Sequence, residues 1–118
     1  VDIDKDANPI FKMFNDPLWT IESYEEQEKE DEFFLIKYQI LKIKQSFAKG
    51  GTRDLARIRY FDKLKSMKIR FVYDGQIDRE KLEKDGFGRF YDYEQFKISL
   101  GYFKYNLPYG KQTIFTQN

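Results

Sequence analysis

Residues 73–90 read YDGQIDREKLEKDGFGRF, and this stretch decides how the C-terminal part of the chain folds. Each of its two ends alternates glycine with apolar or aromatic residues, and a charged segment separates them. Alternation with a period of two is typical of strands, and a polar interruption of this kind is typical of a hairpin turn. The stretch therefore predicts a β-hairpin with Tyr73 and Ile77 facing inward. Its turn, residues 78–84, is expected to stay in water.

A second stretch near the C-terminus repeats this pattern. Gly75 and Gly101 are 26 residues apart, Gly86 and Gly110 are 24 apart, and the second turn runs through residues 106–108. Self-similarity at such a period indicates stacked repeats, and glycine permits the close backbone approach that short hairpins need. The residues predicted to form the repeat core and its interface are Tyr73, Gly75, Ile77, Gly86, Gly88, Phe90, Gly101, Phe103, Tyr109, Gly110 and Phe115.

Residues 71–116 resemble MORN (membrane occupation and recognition nexus) repeats, whose pattern is Tyr-x-Gly-x-aromatic, a turn, and then Gly-x-Gly-x-aromatic. The run from Gly101 to Gly110 is similar to the second half of that pattern. The first turn is about two residues longer than is typical of the family. The other departures are Ile77 for Trp or Phe, Ser99 for the leading Tyr, Asn106 for a turn glycine, and Gln112 for the second glycine of Gly-x-Gly.

The resemblance implies a β-hairpin solenoid that docks onto other protein subunits, dimerises or contacts lipid headgroups. It implies no catalysis and no cofactor, and it suggests an intracellular, cytoskeletal or ciliary location. The alternative is an ordinary β-meander with glycine at its turns. Because about three such repeats are needed for stability, we expect other elements or another chain to cover the ends. The side chains expected to form an exposed aromatic patch are Tyr102, Tyr105, Tyr109 and Phe115.

The preceding third of the chain has features that predict two helices. Ser23 and Glu26 match a capping box, and Gly50-Gly51 provides a stop. Thr52 can cap a second helix over residues 53–67. The apolar stripe of the first predicted helix is Phe33, Ile36, Ile40, Ile43 and Phe47, and the inner face of the second is Leu55, Ile58, Phe61 and Leu64.

These patterns together predict an α+β fold with three parts. Residues 1–22 form an acidic extended arm, residues 23–67 a helical pair, and residues 68–118 a β-hairpin repeat module. No run of about 20 apolar residues is present, so no transmembrane helix is expected.

The composition of the chain excludes most kinds of catalytic site. The chain has neither histidine nor cysteine, which removes an imidazole base and a Cys/His zinc site. Aspartates at positions 2, 4 and 6 have the spacing of a calcium loop, but Ala7 and Met13 stand where that loop needs glycine and a carboxylate. We therefore expect no enzyme and no bound metal. The competing hypothesis is an enzyme that uses Asp85, Asp92 or Glu94.

Charge is segregated along the chain, although the net charge is only +1. Residues 1–32 carry 11 acidic and 3 basic groups, whereas residues 33–70 carry 2 acidic and 11 basic groups. The favoured hypothesis is a scaffold or accessory subunit that docks onto other proteins. The alternative is binding of anionic lipid or nucleic acid by a basic helix over residues 53–70, through Arg53, Arg57, Arg59, Lys63, Lys65, Lys68 and Arg70.

Overall fold

A computed structural model describes the backbone of residues 21–30, 35–43 and 53–116, and the side chains of residues 37–42 and 53–116. The described residues form one antiparallel sheet of seven strands that follow one another in chain order. A single turn of 3-10 helix, Lys63–Lys65, joins the third and fourth strands. The strands are β1 (Ile21–Glu30), β2 (Leu35–Ile43), β3 (Arg53–Asp62), β4 (Lys68–Asp78), β5 (Lys84–Asp92), β6 (Lys97–Lys104) and β7 (Leu107–Thr116).

The predicted α+β class is wrong, because β1, β2 and β3 occupy the described part of the expected helical pair. Ile36 and Ile40 are four residues apart, a spacing that fits a helical stripe and also one face of a strand. In β3, Arg57-Ile58-Arg59-Tyr60 alternates polar and apolar residues, which is the period of a strand. β3 pairs with β2 on one side and with β4 on the other, and this pairing outweighs the local helical preference of its arginines, Leu55 and Ala56.

The two C-terminal hairpins are where the sequence places them, as β4–β5 and β6–β7. The first predicted turn is corrected at one position, since Lys84 starts β5 and is buried rather than in water. Several predicted features lie outside the described residues. These are residues 1–20 of the acidic arm with its aspartates, the stripe residues Phe33 and Phe47, and the helix signals Gly50-Gly51 and Thr52.

The core lies on one face of the sheet, where alternate residues of neighbouring strands meet. Ile40 pairs with Ile58, and Ile58 pairs with Tyr73, so the register puts these side chains in one row. The Tyr73 ring meets the Phe103 ring edge-on, with centroids 5.0 Å apart. The buried members of this cluster are Ile40, Ala56, Ile58, Tyr60, Tyr73, Ile77 and Phe103, which confirms the inward positions predicted for Tyr73, Ile77 and Phe103.

Aspartate opens three of the turns that connect the strands. The carboxylate of Asp62 accepts the backbone N–H of Leu64, at 3.0 Å. Asp78 accepts the N–H groups of Glu80 and Lys81, and Asp92 those of Glu94 and Gln95. The bond from the Lys81 amide lowers the pKa of Asp78. An aspartate that bonds its own backbone in this way holds a tight turn and so fixes the strand register.

A row of charged side chains crosses the opposite face of the sheet. Arg57, Asp74 and Arg89 are directly opposite one another on β3, β4 and β5. Arg57 donates from Nε and Nη2 to the two carboxylate oxygens of Asp74, at 2.7 and 3.0 Å. Arg89 donates from Nη2 and Nε to Oδ2, at 3.2 and 3.3 Å. The Asp74 side chain is 1% exposed, so this Arg-Asp-Arg bridge ties three strands together at a site that water hardly reaches.

Tyr73 makes stability sensitive to alkaline pH. Its pKa is raised well above the ordinary value, chiefly because burial disfavours the phenolate. Its hydroxyl donates to the carbonyl of Gln76 at 2.6 Å, a bond that only the protonated form makes. Because the unfolded chain ionises tyrosine near pH 10, we expect full stability below about pH 10 and a decline above it. Each buried tyrosine contributes up to about 1.4 kcal/mol per pH unit to that decline.

Urea unfolding at about pH 8, pH 10 and pH 11 tests this prediction. Tyr73→Phe is expected to make the decline above about pH 10 shallower without removing it, because one of the buried tyrosines is gone while the pKa of Tyr60 is still raised by burial. Tyr105→Phe is the control, since Tyr105 is 73% exposed, and it should leave the slope unchanged. An equal slope in all three proteins would contradict the assignment to Tyr73.

Candidate docking surface

The predicted repeat glycines form a row across the sheet. The register places Ala56 opposite Gly75, Gly75 opposite Gly88, and Gly88 opposite Gly101. A Cβ on Gly88 would lie within 2.5 Å of the Tyr73 ring, and a Cβ on Gly75 would lie 2.5 Å from the Cα of Gly88. The tyrosine of the first hairpin therefore lies directly on its glycines, and no side chain fits between them.

The second hairpin also has a larger side chain lying over a glycine of the paired strand. Here the small residue is at position 99, where the first hairpin has Tyr73, and the larger side chain comes from the other strand. Ser99 pairs with Phe90, the partner of Tyr73, so position 99 is on the same face as Tyr73. The side chain that covers Gly101 comes from the other strand and belongs to Gln112. Its Nε2 donates to the Tyr102 carbonyl at 3.0 Å. Ser99 is smaller than the Tyr of the family pattern and Gln112 is larger than its Gly, so the two departures compensate for each other in volume. The sequence does not show this, because it depends on the strand register.

The departure at Asn106 also has a structural role. Tyr105 and Asn106 both have positive φ, 53° and 68°, as a two-residue type I′ hairpin turn requires. The Asn106 side-chain oxygen accepts the backbone N–H of Lys84 at 3.1 Å, and its own N–H donates to the Lys84 carbonyl at 3.2 Å. This turn of the second hairpin is therefore bonded to the first strand residue of β5, which locks the two hairpins together.

The sequence-predicted site residues divide into two groups. Tyr73, Ile77 and Phe103 are core residues, and Phe90 packs against that core. Gly86 has a φ of +109° and pairs with Phe103. The remaining predicted residues, Tyr109, Gly110 and Phe115, lie on β7 and are exposed.

The exposed group belongs to what we call the C-terminal hairpin surface. Its large apolar side chains are between 48% and 73% exposed, which is unusual for so many neighbours in one hairpin. The exposure predicted for four of them is confirmed, whereas Leu107 and Ile114 were missed because a strand pattern alone does not show which strand lies at the edge of the described sheet. The members are Tyr102, Tyr105, Leu107, Tyr109, Ile114 and Phe115.

An open groove of about 720 Å³ runs along this hairpin. The aromatic rings of Tyr102 and Tyr109 and the amines of Lys104 and Lys111 line it. Lys104 Nζ lies 5.3 Å from the Tyr105 ring centroid and 5.4 Å from that of Tyr109, which is within the range of a cation–π contact with each ring. No carboxylate of the described residues pairs with Lys104 or Lys111, so the groove has a positive charge.

The predicted basic helix is wrong, because its residues lie in β3, in the 3-10 turn and in β4. Arg57 bonds Asp74, and Arg53 pairs with Asp85 at 3.4 Å. Lys63 and Lys65 lie on the 3-10 turn, and Lys65 Nζ is 3.9 Å from Glu94 Oε1. These cations do not form one helical face. Binding of lipid or nucleic acid by them stays a prediction.

The three candidate catalytic carboxylates each have a structural contact. Asp85 pairs with Arg53, Asp92 opens a turn, and Glu94 pairs with Arg70 at 2.8 Å. Across residues 37–42 and 53–116, no group of three or more acidic side chains is arranged to hold a metal ion. The described residues also include no helix long and apolar enough to cross a membrane.

The fold and surface define a hairpin-rich antiparallel β-sheet protein with an exposed aromatic edge. No protein-family model, curated protein or solved structure shows significant similarity to the chain.

Proposed function

We propose that this chain is a non-catalytic docking subunit that binds other protein subunits of a larger assembly through the C-terminal hairpin surface. The observation that carries the proposal is the exposure of β7. Nine of its ten residues are exposed, and four of them are large and apolar. Apolar surface of this kind, concentrated on one hairpin, is a common mark of a protein interface.

The backbone of β7 supports the same function. Among the described strands β7 is the last in the sheet order, so one side of it pairs with β6 and no described strand pairs with the N–H and C=O groups on its other side. Natural edge strands are usually protected by several charges or by a covering element. β7 has a single charged residue, Lys111, and one proline, Pro108, close to its start, so residues 109–116 have neither protection except at Lys111. It can therefore accept another strand by β-augmentation, with the tyrosines and Phe115 as anchors.

The glycine row and the Tyr73 contact support the MORN-like part of the proposal. In such an array each hairpin presents the same small-residue row to the next, so the array extends by adding strands at its edge. Here the row runs through Gly75, Gly88 and Gly101 and reaches the C-terminal hairpin. A MORN-like docking subunit fits a cytoskeletal or ciliary assembly, which is the setting that the resemblance implies.

A photo-reactive phenylalanine analogue at position 109 tests this function. Introduced into the full chain and irradiated in an extract of the source cells, it is expected to form a covalent adduct with one or a few defined proteins. The matched control has the same analogue at position 64, since Leu64 is 71% exposed but lies in the 3-10 turn between β3 and β4. Adducts from position 109 only would support docking through β7.

The double variant Tyr109→Ser/Phe115→Ser measures how much the two aromatic side chains contribute to binding. Loss of two aromatic anchors is expected to weaken recovery of those same proteins at least about tenfold, since a single interface hot spot is worth about 2 kcal/mol. The control variant is Leu64→Ser, with recovery expected to be unchanged. Equal recovery with both variants would remove β7 as the docking strand.

A further inference from the structure

We infer that the occupant of the C-terminal hairpin surface is the acidic edge strand β1 of a second copy of this chain, so that copies associate head to tail. The inference rests on the proposed docking role of β7 and adds the identity of the partner. It follows from the two edges of the sheet, which differ in charge and match in length.

The edges match because both end strands have ten residues, β1 being Ile21–Glu30 and β7 being Leu107–Thr116. Among the described residues these two strands lie at opposite ends of the sheet, and neither pairs with the other. Added strands bond to an edge through the backbone, so an occupant of equal length can pair along β7, apart from Pro108, which has no N–H, and the register irregularity opposite residues 100–102. The described part of the chain thus has both halves of one interface, on opposite sides.

Charge favours pairing of β7 with β1 over pairing of β1 with β1 or of β7 with β7. β1 has five glutamates and one lysine, whereas residues 97–116 have three lysines and no carboxylate. Pairing β1 with a second β1 would bring ten glutamates together, and like charges on facing strands are destabilising. Pairing β7 with a second β7 would bring together two grooves that each contain Lys111 of β7 and Lys104 at the end of β6. Only the contact of β7 with β1 places opposite charges on the two sides.

The groove beside β7 has the chemistry that an acidic strand needs. Lys104 and Lys111 have no carboxylate partner among residues 37–42 and 53–116, while Arg53 in the same groove is already paired with Asp85. Each exposed pair adds only about 0.2–1 kcal/mol, so the backbone bonds and the aromatic rings contribute as well, and the loss of several pairs together weakens the contact about tenfold or more. The charges decide which strand is chosen and in which conditions it binds.

The symmetry of the contact has a measurable consequence. A surface that binds a different surface of the next copy is heterologous, and such a contact continues into rings or open chains unless it is blocked. A copy blocked at β1 and a copy blocked at β7 each fail to self-associate. Mixed together, they still have one intact β7 and one intact β1 between them, and so form a dimer that cannot grow.

Sedimentation velocity on the 118-residue chain tests the inference. Wild type is expected to form dimers and larger species as concentration rises at about 50 mM salt and to dissociate at about 500 mM, where screening is strong. The β1 variant is Glu22→Gln/Glu25→Gln/Glu26→Gln/Glu28→Gln. The β7 variant is Lys104→Glu/Lys111→Glu, in which Lys111 lies on β7 and Lys104 ends the neighbouring strand β6. Each alone should sediment as a monomer, and the equimolar mixture should form dimers and nothing larger. The control, Glu80→Gln/Glu83→Gln in the β4–β5 turn, should behave as wild type.

Formation of dimers by the mixture also demonstrates that both variants are folded. Dimers of the β1 variant alone would overturn the inference in favour of a symmetric β7–β7 contact. A wild-type monomer at every concentration, or association that is unchanged by salt, would overturn it as well. None of these results decides the docking role of β7, which the adducts from position 109 decide separately.

Discussion

Asp74→Ala is expected to lower the free energy of unfolding by about 3–5 kcal/mol, which is a large part of the stability of a domain of this size. The Arg57 and Arg89 side chains are 23% and 13% exposed, so water can replace the lost carboxylate only in part. Their charges would then face each other across the position of β4 with nothing between them. Urea unfolding of the variant and wild type measures the loss.

Asp85→Ala is the matched control for Asp74→Ala. Asp85 pairs with Arg53, but their side chains are 27% and 46% exposed. Water and salt already screen this pair, so the substitution should cost less than about 1 kcal/mol. If Asp74→Ala cost no more than Asp85→Ala, the Arg-Asp-Arg bridge would not be holding the three strands together.

The C-terminal hairpins could be predicted because their signals are local. Glycine, aspartate and asparagine mark the turns, and the period of two in residues 73–77 and 99–103 shows which side chains face inward. The N-terminal strands could not be predicted in the same way. Their glutamates and lysines favour a helix locally, and the spacing of Ile36 and Ile40 fits both structures. What decides between them is pairing with distant strands, which no short window of sequence contains.

The candidate surface was partly predictable for a similar reason. Aromatic residues near the end of a repeat array predict exposure, and Tyr102, Tyr105, Tyr109 and Phe115 are exposed. The buried charges were not predicted. Lys84 Nζ donates to the Tyr60 hydroxyl at 2.8 Å and lies over three aromatic rings that come from three different strands. A turn lysine becomes a core residue only when the register brings those rings to it.

Gly88→Ala is expected to cost about 2–3 kcal/mol, because the new methyl group overlaps the buried ring of Tyr73. Tyr73 is fully buried and its hydroxyl bonds the Gln76 carbonyl, so the ring cannot simply move aside. Gly110→Ala is the control, because no atom lies within 4 Å of the position where its Cβ would be. Its φ of 75° makes alanine cost only about 1 kcal/mol there.

A double-mutant cycle shows whether the ring is the obstacle. Tyr73→Leu removes the ring and should cost about 2–4 kcal/mol by itself. In that background Gly88→Ala should cost less than about 1 kcal/mol, which gives a coupling energy of about 2 kcal/mol. Gly75→Ala should not be rescued by Tyr73→Leu, because its Cβ would meet the backbone of Phe87 and Gly88. If the losses in the free energy of unfolding at positions 73 and 88 were additive, the Tyr73 ring would not lie on Gly88. The packing of a large side chain over the glycine row, which both hairpins share, would then be contradicted.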